Sequence, residues 1–190
     1  MPASANLSDV LPSWHDFYLL AGTVSATLMG LLFVAMSIHW DVVLDDAKTH
    51  LHAIALAAFG SFLVVAFLSL MMLTPSGGAR PLGLGLVVLG VIRMMIGVRH
   101  SKQIWLSQDE AFSKTERTYR AILVPAAFAF LVSAGLLFFL RRIDVGLAVL
   151  TLAIFVLLAL GARASWDLLV RVGRLKMRRI SESRSSAPRG

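Results

Sequence analysis

The chain has 190 residues, of which 57% are apolar, and it carries 18 Lys and Arg against 11 Asp and Glu. Its mean hydropathy of +0.77 exceeds what a water-soluble domain of this length can bury, which excludes an ordinary soluble fold and makes a lipid bilayer the solvent. The basic residues lie mostly between and after the apolar runs, so they predict membrane orientation and exclude a nucleic-acid-binding domain.

Five apolar runs predict an all-α, polytopic membrane helix bundle with five transmembrane helices. We expect residues 1–13 to be a flexible N-terminal segment, residues 14–180 to form a single transmembrane helical domain, and residues 181–190 to be a disordered tail. Ser13 begins a capping box for the first helix, and Pro125 falls in the first turn of the fourth span, where no backbone donor is lost. The predicted spans are 17–38, 51–73, 82–98, 121–140 and 145–162.

The first span carries a stripe of small residues. Gly22, Ala26 and Gly30 recur every four residues, a spacing that lets two helix backbones approach closely in lipid. The pattern leaves three roles open: packing inside one subunit, self-association, and the lining of a pore.

The link after the first span is rich in side chains that can bind metal ions. Three His and three Asp fall within fourteen residues, and imidazole and carboxylate groups are ligands of divalent metals. Their spacing matches neither a helical His-x-x-x-His pair nor a calcium loop. The leading interpretation is therefore a set of polar residues at the membrane interface, and the alternative is a metal or pH-sensing site. The residues concerned are His39, Asp41, Asp45, Asp46, His50 and His52.

The third span contains Arg93, the one charged residue within the five predicted spans. Its ten Leu, Ile and Val residues favour insertion by about 3 to 6 kcal/mol, whereas the arginine opposes it by at most about 3.5 kcal/mol. The segment is therefore predicted to span the membrane.

The glycines of the third span share one helical face with that arginine. Gly83, Gly90 and Gly97 recur every seven residues, and Arg93 lies between the last two. An intramembrane arginine usually has a partner or faces water, and near a helix end it can reach the interface. Snorkelling, a structural ion pair, and anion coordination or gating all remain open. The candidate partners are Asp41, Asp45, Asp46 and Asp167.

Residues 163–180 continue with a helical period after the fifth span. The pattern predicts a basic amphipathic helix, either continuous with that span or bent onto the anionic leaflet. Its charged stripe comprises Arg163, Asp167, Arg171, Arg174 and Arg178. The opposite stripe comprises Trp166, Leu169, Val170, Gly173, Met177 and Ile180.

The distribution of basic residues predicts the orientation. With five spans, Arg80, Arg141 and Arg142 lie on one side, and fourteen other Lys and Arg lie on the opposite side. Because basic residues are retained in the cytoplasm, we expect the N-terminus outside and the C-terminus in the cytoplasm.

No arrangement of residues suits an enzyme. The absence of cysteine excludes disulfides, thiolate zinc sites and cysteine nucleophiles. The serines within the spans have no adjacent base, and the chain contains no phosphate-binding or dinucleotide-binding fingerprint. We therefore expect no catalytic residue and no cofactor.

Residues 14–40 resemble the start of a family of small bacterial inner-membrane proteins. The resemblance lies in the segments WHDFY and GTVSATLMGLLFVAMSI. Some of these proteins are labelled modulators of the membrane protease FtsH. The resemblance implies a location in the bacterial inner membrane and carries over no catalytic residue.

The functional expectation is a non-enzymatic membrane protein that acts by helix packing, oligomerisation or association with a partner. Its partners would be anionic lipids of the cytoplasmic leaflet and either further copies of itself or another membrane protein, with no nucleic acid. The alternative is a small oligomeric ion channel or transporter with Arg93 near the pathway.

Overall fold

The structure is a computed structural model that describes residues 7–38, 51–74, 78–106 and 114–185. This described part of the chain is all-α, which confirms the predicted class, and each predicted span falls on a separate helix. The five helices are α1 (Leu7–Ile38), α2 (Leu51–Leu73), α3 (Ala79–Leu106), α4 (Lys114–Phe139) and α5 (Ile143–Ser185).

Four of these helices are long and apolar enough to cross a membrane. The corresponding segments are Val10–Ile38, Ile54–Leu73, Ala79–Gly97 and Ile143–Arg174. In α4, the apolar segment among the residues searched is Val124–Phe139, which is shorter than eighteen residues. The chain therefore has helices of the length and composition that an integral membrane protein requires. The apolar segment of α4 is the shortest of the five.

The first helix begins earlier than predicted. It starts at Leu7 and includes Pro12 in its second turn. The hydroxyl of Ser13 donates a hydrogen bond to the carbonyl oxygen of Val10, at 2.6 Å, instead of capping a helix that begins there. The predicted capping box is therefore wrong, because Ser13 lies in the second turn of a helix that has already begun at Leu7. Pro12 removes one backbone hydrogen bond there without ending the helix.

The fourth helix also begins before its apolar segment. Because α4 starts at Lys114, Pro125 lies in its interior, so the predicted first-turn position is wrong. A proline there removes the hydrogen bond that its backbone nitrogen would donate to the carbonyl oxygen four residues earlier. The polar residues 114–120 continue the helix beyond the segment that hydropathy marks.

A tight turn joins α4 to α5, as the sequence predicts. The amide of Arg142 donates to the carbonyl oxygen of Leu137 at 2.9 Å, and the amide of Arg141 donates to that of Phe138 at 3.2 Å. This pair of hydrogen bonds is the Schellman pattern that ends a helix. Arg141 takes the left-handed conformation, with a φ of 57°. The carbonyl oxygen of Arg142 then accepts a hydrogen bond from Gly146, at 2.9 Å, and begins α5.

The last helix continues without a break from the fifth predicted span through Ser185, so the segment after that span belongs to the same helix. Helix also covers residues 181–185, which the prediction assigned to a disordered tail. The predicted apolar stripe faces outward, since Trp166 and Met177 are 68% and 73% exposed. Leu168 and Val172 are buried instead. They lie on the same face of α5 as Gly161, which packs against Phe62.

Contacts between residues divide the chain into two compact units. The first unit comprises residues 1–22 and 67–157, and the second comprises residues 23–66 and 158–190. The core of the first unit includes Tyr18, Leu68, Met72, Leu86, Leu131, Phe138, Leu147 and Ile154. The core of the second unit includes Leu32, Ile54, Ala58, Phe62, Val65 and Leu168.

Candidate functional site

The glycines of α3 lie against α4. A Cβ atom added at Gly83 would be 2.8 Å from the carbonyl oxygen of Gly135, and one added at Gly90 would be 2.7 Å from Cγ2 of Val132. Both distances are too short for a real side chain. A Cβ at Gly97 would make an ordinary contact with Val124, at 3.7 Å. The two helices therefore run antiparallel in contact, and glycine permits their closest approach.

Gly135 of α4 is the reciprocal half of this contact. A Cβ added there would be 2.8 Å from the carbonyl oxygen of Gly83 and 3.0 Å from the backbone nitrogen of Val87. The sequence analysis did not select it because it is the only glycine of the fourth predicted span and forms no repeat. One signal was available: an isolated glycine costs a helix about 1 kcal/mol relative to alanine, so it usually has a packing reason.

Arg93 lies on the same side of α3 and is half-buried. Its guanidinium carbon is 5.5 Å from the centre of the Phe128 ring, a cation–π contact with α4. Three of its four predicted partners, Asp41, Asp45 and Asp46, lie outside the described residues. This aromatic neighbour differs from the four carboxylates that the sequence offered as partners.

The small-residue stripe of α1 has two different environments along the helix. Gly22 faces α2, where an added Cβ would be 2.9 Å from Cβ of Ser69. Ala26 is exposed, and a Cβ added at Gly30 would meet nothing within 4 Å. Phe33, beside them on the helix, is 66% exposed. Among the described helices, another helix thus covers only the first residue of the stripe.

The hydroxyl groups of α1 follow the same division. Buried Ser25 donates a hydrogen bond to the carbonyl oxygen of Phe62 on α2, at 2.5 Å. The exposed hydroxyl groups of Thr27 and Ser37 instead donate to carbonyl oxygens of their own helix, at 2.8 Å and 2.7 Å. The buried hydroxyl of Ser25 therefore joins α1 to α2, whereas the exposed hydroxyls of Thr27 and Ser37 bond only within their own helix.

Three further hydroxyl groups lie in the core of the first unit. The Tyr18 hydroxyl of α1 neighbours that of Thr151 on α5, but neither these two nor Ser69 has a hydrogen bond of good geometry within the described residues. Buried polar groups of this kind are costly in lipid. No charged side chain is buried beside them in the described core, so nothing there activates a hydroxyl as a nucleophile.

The six candidate metal ligands of the link after the first span, whose leading interpretation is a set of interfacial polar residues, fall outside the part of the chain whose side chains the structure describes. His39, Asp41, Asp45, Asp46 and His50 lie outside the described residues. His52 belongs to α2, but its side chain is also outside the described set. Within residues 7–38, 51–74, 78–106 and 114–185, no three His, Asp or Glu side chains converge to hold a metal ion.

Comparisons with known proteins add no relative. The chain matches no protein-family model, no curated protein and no solved structure. The resemblance of residues 14–40 to small bacterial inner-membrane proteins therefore stays an expectation, and the functional argument rests on the contacts described above.

Proposed function

We propose that the chain is a non-enzymatic integral protein of the bacterial inner membrane that acts by association through α1, with a second copy of itself or with another membrane protein. The observation that carries the proposal is the open part of the small-residue stripe. Gly30 has no neighbour within 4 Å and Ala26 is exposed, although their spacing is the one that lets helix backbones meet in lipid.

The geometry of α1 distinguishes this surface from an ordinary lipid-facing one. Lipid-facing positions need only be apolar, and Leu20 and Leu31 meet that need elsewhere on α1 with exposed side chains. A glycine in the same helix costs about 1 kcal/mol relative to alanine. Gly22 allows close packing on Ser69 within the chain, which offsets its helix-propensity cost. For Gly30, contact with a partner helix would offset the same cost.

We propose that all five helices cross the membrane. The contacts of α4 with α3 extend from Gly83 and Gly135 to Gly97 and Val124, along nearly the whole apolar segment Ala79–Gly97. Because α4 lies beside a spanning helix over this length, its position supports the proposal that α4 also crosses the membrane, even though its apolar segment is short.

The proposed orientation has the N-terminus outside and the C-terminus in the cytoplasm. Three basic residues against fourteen support it, and the basic face of α5, which includes exposed Arg174, would then meet the anionic cytoplasmic leaflet. A reporter domain fused at residue 2 tests the orientation. We expect it outside the cytoplasm, and activity of a cytoplasmic reporter there would overturn the five-span arrangement.

Disulfide crosslinking in native membranes tests the association. The chain contains no cysteine, so each single substitution supplies the only thiol. We expect Gly30→Cys and Ala26→Cys to form crosslinks, to a copy of the chain or to a partner, that reducing agent reverses. Leu31→Cys is the matched control, because residue 31 lies at the same depth but about 100° around the helix.

The crosslinked products identify the partner and test the proposal. A crosslinked band of twice the chain mass identifies a second copy, whereas a band of another mass identifies a different protein. Equal crosslinking of Gly30→Cys and Leu31→Cys would contradict association through this face. Crosslinking of neither would contradict self-association, because a second copy always carries the second thiol that the disulfide needs.

The second candidate function is a small oligomeric channel or transporter with Arg93 near the pathway. One observation favours it: the guanidinium group of Arg93, inside an apolar segment, contacts the Phe128 ring, and the described residues place no carboxylate in ion-pair contact with it. Anion flux into liposomes tests this function. If this function is correct, the unaltered chain conducts anions, Arg93→Ala abolishes the flux, and Arg93→Lys retains most of it. An unchanged flux in Arg93→Ala would show that Arg93 does not lie on the pathway.

A further inference from the structure

A groove opens between the end of α2 and the start of α3, in the first unit. Its volume is about 340 Å³. Only one of its lining residues has a polar side chain, Thr74, whose hydroxyl already donates to the carbonyl oxygen of Leu70 at 2.8 Å. The groove therefore suits hydrocarbon. Its lining residues are Phe67, Leu70, Met71, Thr74, Pro81 and Leu82.

Three arginines lie at the end of the first unit where this groove opens. Arg80 directly precedes Pro81, which lines the groove. A Cβ added at Gly83, one turn further along α3, would be 3.3 Å from Phe139 at the end of α4. Arg141 and Arg142 follow Phe139 after one intervening residue, and all three arginines are exposed. The apolar groove is thus joined to a positively charged helix end.

We propose that this groove binds one acyl chain of an anionic phospholipid, whose phosphate group lies against Arg80 with Arg141 and Arg142 nearby. The groove begins at the end of the apolar helix α2, which is the depth at which acyl chains meet headgroups. In the proposed orientation this junction lies at the outer leaflet, so the lipid bound here is separate from the anionic cytoplasmic leaflet that α5 would meet. Clustered basic residues attract anionic headgroups, and the guanidinium fork matches the geometry of phosphate.

The size of the groove argues for an acyl chain over a helix of a partner protein. From Phe67 to Thr74, α2 rises about 10 Å at 1.5 Å per residue. A volume of about 340 Å³ spread over that length gives a cross-section of about 34 Å². A helix at least 10 Å in diameter has a cross-section of about 80 Å², so only one face of it could lie on the groove, whereas a single extended hydrocarbon chain fits along it.

Native mass spectrometry of the full chain in mild detergent tests the proposal. The probes are phosphatidylglycerol and phosphatidylcholine with identical acyl chains. We expect one phosphatidylglycerol per chain to bind at least tenfold more tightly than phosphatidylcholine. Arg80→Gln should remove most of that preference, and Leu70→Trp, which fills the groove from an exposed position, should weaken binding of both lipids.

Arg174→Gln is the matched control, because Arg174 is also exposed but belongs to α5 and the second unit. It should leave the tightest lipid bound within twofold of the unaltered chain. The proposal is overturned if the two lipids bind equally, or if Arg174→Gln weakens binding as much as Arg80→Gln does.

Two further measurements exclude other occupants. Thermal unfolding with inorganic phosphate should show no stabilisation, whereas phosphatidylglycerol should raise the midpoint. An equal rise with phosphate would mean an anion site without an acyl chain. Disulfide dimers of Leu70→Cys would mean a second copy at the groove, and either result contradicts the proposal. No residue of α1 takes part, so this site and the association through α1 succeed or fail separately.

Discussion

The contact of α3 with α4 and the outward part of α1 use the same small residues in opposite ways. At the first, Gly83 and Gly135 bring two backbones together and leave no room for a side chain. At the second, Ala26 is exposed and Gly30 has open space beside it. A glycine spacing in an apolar helix therefore predicts close packing, but it does not predict whether the partner helix belongs to the same chain.

The largest expected effect comes from filling the space at the closed contact. Gly135→Val places side-chain atoms where the carbonyl oxygen of Gly83 and the nitrogen of Val87 lie, and a backbone cannot move aside as a flexible side chain can. Overpacking of this kind costs about 3 kcal/mol or more. Unfolding in detergent, followed by circular dichroism, measures the change.

Gly173→Val is its matched control, because a Cβ added at Gly173 meets nothing within 4 Å. Its stability should stay within about 0.5 kcal/mol of the unaltered chain. If both variants lost stability equally, valine in a helix and not the contact would be the cause, and the distinction between closed and open glycines would fail.

A smaller effect is expected where α1 meets α2. Gly22→Ala brings a methyl group to about 2.9 Å from Cβ of Ser69, which should cost about 1 to 2 kcal/mol. Removing the opposing Cβ with Ser69→Gly should recover part of this loss in the double variant, measured by the same unfolding assay as a double-mutant cycle. Strictly additive losses would show that the two residues do not meet.

The smallest of these effects concerns hydroxyl groups. Ser25→Ala removes the hydrogen bond to the carbonyl oxygen of Phe62 and should cost about 0.6 kcal/mol, the average for such bonds between helices in lipid. Ser37→Ala removes only a bond within α1 and should change the free energy of unfolding by less than half of that. The opposite order would contradict the assignment of inward and outward sides to α1.

Hydropathy predicted the existence and order of the helices because the bilayer imposes the same apolar requirement on every span. It did not predict where helices end. Residues 7–12 and 114–120 precede the predicted spans, yet they are helical, since backbone hydrogen bonds continue a helix beyond the apolar segment.

The sequence predicted which residues of α3 form the candidate site, but not which residues of the chain they contact. The heptad spacing of Gly83 and Gly90 indicated a packing face, but nothing in the spacing pointed to α4, and lone Gly135 gave no repeat to detect. For Arg93 the sequence left snorkelling, an ion pair and anion coordination open, and the partners it offered for an ion pair were carboxylates, because an intramembrane cation usually pairs with an opposite charge. The Phe128 ring became its neighbour only through the register of two helices, which sequence alone does not fix.

The same reasoning explains the C-terminal part of α5. The sequence stripe through Trp166 and Met177 is apolar, but the structure buries Leu168 and Val172. Two apolar faces compete there, and the packing of neighbouring helices selects one. The other is left outward for lipid or a partner.

The central claim is that α1 associates through its open stripe, and an association free energy measures it most directly. Fluorescently labelled chains in liposomes, diluted with lipid and followed by energy transfer, give this value for the unaltered chain, Gly30→Ile and the control Leu31→Ile. We predict that Gly30→Ile weakens association at least tenfold, or about 1.4 kcal/mol, while its unfolding is unchanged and Leu31→Ile behaves as the unaltered chain. Equal association of all three chains would contradict the account.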